Sequence, residues 1–173
     1  LRGAVTAILD WLASLPKTVL DARPLLWWRY GSLMLVTGQT TGVDEKLQAA
    51  ETALQGAEPN DKTRNLIGRI ATAKSVLALT RYQVETMFTQ SRRALEYLHP
   101  DNAPVRASIT WALGYAHHLR GERAAARQAY AEALPICQAI GHTVIAMMAA
   151  IGLGHLQALD NQLHQAAQTF RLA

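Results

Sequence analysis

A small set of residue types returns every 40 positions, and this recurrence constrains the fold more than any other feature of the chain. Leu113, Gly114, Gly121, Ala126, Tyr130 and Ala133 are answered 40 residues later by Leu153, Gly154, Asn161, Ala166, Phe170 and Ala173. Only the pair Gly121 and Asn161 fails to keep an identical or closely similar type. A period of roughly 20–50 residues belongs to arrays of supersecondary units that bury their apolar faces against one another. Such an array moves the expected function from a catalytic pocket toward a binding surface.

The repeat continues backwards in weaker form. With Gly114 as marker, the earlier equivalents are Ser75, 39 residues before it, and Gly31, a further 44 before that. The first repeat then carries Gly38, Val43, Leu47 and Ala50, and the second Tyr82, Met87, Ser91 and Ala94. A small residue at each marker should let two helices cross closely. Glycine should end the first helix in a turn, and alanine with an aromatic should pack the second helix back.

Half of the residues are apolar and 17% are charged, enough for a packed core and too apolar for disorder. Alanine and leucine are abundant and β-branched runs scarce, which predicts an all-α chain. Val5, Ile8, Leu9, Leu12 and Leu15 recur at helical spacing over 2–14, and Pro16 opens a short helix to 22. Hairpins are expected at 24–57, 63–98, 105–139 and 143–173, within one repeat domain spanning 1–173. Residues 1–22 would then end a preceding repeat. The missing start methionine, and an end inside a second helix, suggest a piece of a longer protein.

No apolar stretch approaches the ~20 residues needed to span a bilayer, and Leu1 to Asp10 lacks the layout of a signal peptide. The single cysteine, Cys137, excludes an internal disulfide framework and fits a reducing cytoplasm as a small core residue.

The net charge is +4, with Lys62, Arg64, Arg69, Lys74, Arg81, Arg92, Arg93 and Arg106 set against Glu85, Glu96 and Asp101. Nucleic-acid binding is one reading of that stretch. Solvated helix faces are the other, favoured because the charges spread over several helices without an aromatic-interleaved stripe. Metal chemistry has little support. His117 and His118 are adjacent and diverge by about 100° on a helix, and His155 and His164 fall on different helices. No catalytic dyad, paired carboxylates or phosphate-cradling loop is visible, so no enzyme is expected and no catalytic residue is assigned.

The Leu-Gly, Gly, Ala, Tyr/Phe, Ala pattern resembles that of tetratricopeptide repeats, lengthened from roughly 34 to about 40 residues. Near the N-terminus, Trp11-Leu12-Ala13-Ser14-Leu15-Pro16, Val19-Leu20 and Arg23-Pro24-Leu25-Leu26 resemble the "WLxxLP…vL…RPxL" stretch of MalT-like regulators. These are large ATP-binding members of the LuxR family of bacterial transcription factors. Gly38-Gln39, Ala49 to Leu54 and the rhythm of Leu119 to Ala126 continue the likeness.

The resemblance implies a right-handed superhelix of antiparallel helical hairpins, a tetratricopeptide-like solenoid. It implies a cytoplasmic sensor that binds a small-molecule inducer or a regulatory protein and helps control self-association. In such regulators an NTPase domain precedes the repeats and a helix-turn-helix domain ends the protein. Neither is found here: no G-x-x-x-x-G-K-[ST] occurs, and Gly38-Gln39-Thr40-Thr41-Gly42 lacks the lysine. ATP is therefore expected only in an upstream domain, and direct binding of nucleic acid by this chain is not expected.

The resemblance also places first helices on the concave face. The inward positions become Trp28, Arg29 and Ser32; Arg69, Thr72 and Val76; Trp111, Tyr115 and His118; Ile151 and His155. Of these, Trp28, Arg29, Arg69, Trp111, Tyr115, His118 and His155 form the expected effector groove, suited to a sugar, an aromatic acid or a peptide. The competing reading is that Trp28 and Trp111 pack between hairpins; Trp11 and Trp27 are assigned to packing. Ser32, Val76 and Tyr115 stand where some arrays place carboxylate-clamping residues, which disfavours capture of a C-terminal tail. A free-standing scaffold binding protein segments is the alternative function.

Overall fold

The computed structural model describes residues 2–58 and 60–172. Among them are ten α-helices and no strand: α1 (Arg2–Ser14), α2 (Lys17–Asp21), α3 (Pro24–Val36), α4 (Val43–Ala53), α5 (Asp61–Thr80), α6 (Val84–Tyr97), α7 (Ala103–Leu119), α8 (Arg123–Ala139), α9 (Thr143–Leu159) and α10 (Leu163–Phe170). The loop residue Pro59 and the last repeat position, Ala173, lie outside the described residues.

From α3 onward the helices pair as α3/α4, α5/α6, α7/α8 and α9/α10, and each pair packs on the next. Their first helices start 37, 42 and 40 residues apart and touch in the order α3, α5, α7, α9. Contacts run between neighbours along one line, so the chain is a tetratricopeptide-like helical solenoid. Local chemistry sets the helix starts. Pro24 and Pro104 sit in first turns, and the Asn60 side chain accepts the Thr63 N–H at 2.9 Å. Asp61 and Ala103 are already helical, so α5 and α7 each begin two residues before their expected starts. Pro135 is accommodated inside α8.

The turn inside each hairpin repeats in backbone even where it does not repeat in sequence. Gly38, Tyr82, Gly121 and Asn161 take φ of 79°, 54°, 77° and 60°. The next N–H reaches back five residues every time, Gln39 to Met34, Gln83 to Ala78, Glu122 to His117 and Gln162 to Gln157, all at 2.9 Å. That 6→1 bond satisfies a carbonyl the helix end would otherwise orphan. Asn161 thus replaces Gly121 because asparagine is among the few side chains that tolerate this region.

The marker residues do stand at close crossings, each against the second helix of its own hairpin. A Cβ on Gly31 would lie 3.1 Å from Leu47, one on Gly114 3.0 Å from Ala129 and Tyr130, and one on Gly154 2.6 Å from Phe170. In the second hairpin the crossing is made by two small residues, Ser75 and Ser91, whose buried hydroxyls hydrogen-bond at 2.8 Å. A large residue meets each glycine, and a small one meets the serine.

Candidate functional site

Spacings of four and three put Trp111, Tyr115 and His118 on one side of α7. Met148, Ile151, Gly152 and His155 of α9 face them. Leu79, Thr80 and Tyr82, at the end of α5 and its turn, close one side, and Tyr130 of α8 forms the floor. These residues enclose a pocket of about 480 Å³. The Trp111 and Tyr115 rings stack with centroids 5.9 Å apart and planes 6° from parallel. His118 lies 5.3 Å from His155 and 6.3 Å from Tyr130, ring centre to ring centre. Trp111 is buried and belongs to the core cluster as well as to the pocket wall, so packing and lining are both its work.

Burial disfavours the charged forms of two groups at this site. Burial, then His155 and Arg123, hold the His118 pKa below its ordinary value, and its Nδ1 is buried without a hydrogen-bond partner. Burial, with Tyr115 nearby, pushes the Tyr130 phenol well above the usual range.

A second pocket, of about 400 Å³, lies between α3, α5 and the start of α7. Its lining includes Trp28, Ser32, Arg69, Thr72 and Val76. Here Trp28 and Arg69 engage each other. The indole N–H donates to the Arg69 carbonyl at 3.1 Å, and the guanidinium sits 5.3 Å from the ring centre.

Of the seven groove residues expected from the sequence, four meet in the first pocket and two in the second. Arg29 is exposed and lines neither. The division has a simple cause. Neighbouring helices pack roughly 8–10 Å apart, so α3 and α9 stand about three such steps from each other, wider than one small molecule. Trp27 is buried and donates to Asp21 at 3.0 Å, whereas Trp11, assigned to packing, is 53% exposed.

Seven of the eight cations in the basic stretch have partners within the fold. Lys74 and Arg93 both pair with Glu51, and Arg81 with Asp44. Arg106 donates to the Leu95 and Leu98 carbonyls. Arg64, Arg69 and Arg92 lie over Tyr97, Trp28 and Phe88. His117 turns away from His118 and pairs with Glu122 at 2.5 Å. Among the described residues no group of three or more His, Cys, Asp or Glu is placed to hold a metal ion. Among the described residues, likewise, no helix is long and apolar enough to cross a membrane.

Six residues of the first pocket, Leu79, Thr80, Tyr82, Tyr130, Met148 and Gly152, were missed as site residues, and three of them show why. Gly152 hides beside the marker Gly154, although its missing Cβ admits Tyr130, which a Cβ would approach to 2.6 Å. Tyr130 carries a repeat signal that reads as packing alone. Tyr82 announces itself only as an aromatic at a position where other repeats carry glycine or asparagine.

Compared with known families, residues 68–173 match the model of the MalT-like TPR region. No curated protein matches the chain.

Proposed function

This chain belongs to the MalT-like TPR family, and on that premise we propose that it is the effector-sensing region of a MalT-like, LuxR-family transcriptional regulator. Its effector would be a small molecule bound in the pocket lined by Trp111, Tyr115, His118 and His155. The observation that carries this reading is the pocket itself. It lies on the face that the first helices share, is mainly apolar, and has a few converging polar groups. Its walls come from three hairpins, so a bound ligand favours one relative arrangement of them over others. Binding to one curvature of the array would thereby bias self-association of the attached regulator. ATP and DNA would be handled by other domains of that regulator, and the sensor itself performs no catalysis.

Protein binding is the second reading. Val144, Met147, Met148 and Ile151 leave an exposed apolar row along α9 that suits a partner helix or strand. One variant separates the two. Ile151 is half exposed at the pocket mouth, so Ile151→Trp should fill the cavity without disturbing the core. In a thermal-shift screen of small molecules, compounds that stabilise the chain should lose their effect in Ile151→Trp. Hits that stabilise both proteins equally would place binding elsewhere and sink the assignment.

A further inference from the structure

At Tyr82 the backbone requirement of the repeat and the side chain disagree. Gly38, Gly121 and Asn161 meet the positive φ of the hairpin turn with residue types that accept it, while Tyr82 is held at 54°. A bulky side chain in that region raises the energy of the folded chain. Tyr82 receives no burial in return, being 79% exposed, yet it borders the pocket. Strain that folding does not reward collects at ligand sites.

The lining defines the chemistry of what would bind. Among the described residues that line the pocket there is no Asp, Glu, Lys, Arg, Asn or Gln. The polar groups are the Thr80 hydroxyl, the side chains of Tyr82, Tyr115 and Tyr130, the Trp111 indole, and the imidazoles of His118 and His155. A carboxylate or phosphate would find no fixed cation. A sugar would bury many hydroxyls against too few bidentate partners, and unpaired buried polar groups weaken binding. A flat aromatic molecule needs only ring faces and one or two hydrogen bonds, which this lining supplies.

We propose that Tyr82 is a ligand-stacking residue. The pocket then takes a neutral, flat aromatic molecule bearing one or two hydroxyl or carbonyl groups, held between Tyr82 and the Trp111–Tyr115 wall. This rests on the pocket being the effector site. The ligand ring recovers, on binding, what the strained turn costs the free protein.

The test uses 2-naphthol as probe and methyl α-glucoside as comparator. Each is titrated at up to millimolar concentration by thermal shift and tryptophan fluorescence. Tyr82→Gly and Tyr82→Asn should weaken 2-naphthol binding by about tenfold, the worth of one aromatic stack, while melting temperatures hold or rise. Tyr82→Phe should bind as the unaltered chain does. Unchanged affinity in the glycine and asparagine variants, or a lower melting temperature in both, overturns the stacking role. Failure of 2-naphthol to bind overturns the ligand class. So does glucoside binding that Ile151→Trp abolishes, although that outcome leaves the effector site standing. Naphthol binding that survives Ile151→Trp overturns the site itself.

Discussion

Gly114 is a repeat marker where an added side chain should be felt, because the ring it meets has little room to yield. Its Cβ would fall 3.0 Å from the Ala129 Cβ and from two ring carbons of Tyr130. Tyr130 is 1% exposed and is blocked on its other side by Gly152, whose own Cβ would come within 2.6 Å of the ring. Overpacking a rigid site costs about 1–3 kcal/mol, and replacing a mid-helix glycine returns up to about 1 kcal/mol of helix propensity. Gly114→Ala should therefore lose only about 0–2 kcal/mol. Gly114→Leu, with three further carbons to place, should reach the upper end of the overpacking range, about 2–3 kcal/mol. For a chain of this size that lowers the melting temperature by roughly 4–12 °C. Urea denaturation in a double-mutant cycle gives the sharper measurement. In a Tyr130→Leu background the ring contacts are gone while the Ala129 contact stays, so the cost of Gly114→Ala should shrink, with a coupling on the order of 0.5–1 kcal/mol. Wild-type stability for Gly114→Leu, or additive effects in the cycle, would refute the clamped-ring argument.

In the second hairpin, Ser75→Ala leaves the buried Ser91 hydroxyl without its partner and should cost about 1–3 kcal/mol. Ser75→Ala/Ser91→Ala should recover most of that loss by urea denaturation. Acid should destabilise the chain in two windows. Burial alone would push the Glu51 carboxyl up, but Lys74 and Arg93, each 2.5 Å away, outweigh it and hold the pKa below its ordinary 4.5. The unfolded chain then binds the extra proton, so this contribution is present above pH 4.5 and fades as pH falls through the folded value. His118, held below 6.5 by burial, His155 and Arg123, stays neutral where its unfolded counterpart is protonated, so stability also falls as pH drops below 6.5. Melting curves from about pH 7 to pH 3 should lose the lower step in Glu51→Gln, worth on the order of 1 kcal/mol after solvent screening, and the upper step in His118→Gln. A profile unchanged by either substitution would contradict the assignments.

The array was readable because its period expresses a steric rule that survives residue change. The glycine markers recur where two helices touch, and the mismatch at Asn161 proves to be a match in backbone angle. Even the weak second repeat obeys the rule, with Ser75 meeting Ser91 at the position where Gly114 meets Tyr130 and Gly154 meets Phe170. The site was less readable for a geometric reason. Helical periodicity tells which side of α7 carries Trp111, Tyr115 and His118, but not how far that side stands from α3. A single list of inward residues therefore merged two pockets, and it kept Arg29, which points to solvent. Trp28 was ambiguous for a related reason: only the fold reveals that its indole N–H is already taken by the Arg69 carbonyl.

Tyr130 joins the two halves of this account. Its ring is the contact that Gly114 and Gly152 are shaped around, so it holds α8 between α7 and α9. The same residue forms the floor of the pocket, beneath the aromatic wall of Trp111 and Tyr115. Packed interiors do not deform continuously; they move between discrete arrangements. A ligand bound in the proposed site would therefore press on the residue that packs the third hairpin against the fourth. In a one-dimensional array, a change of angle at one junction displaces everything beyond it. If the pocket is the effector site proposed above, its occupancy and the curvature of the solenoid would be linked through this one side chain.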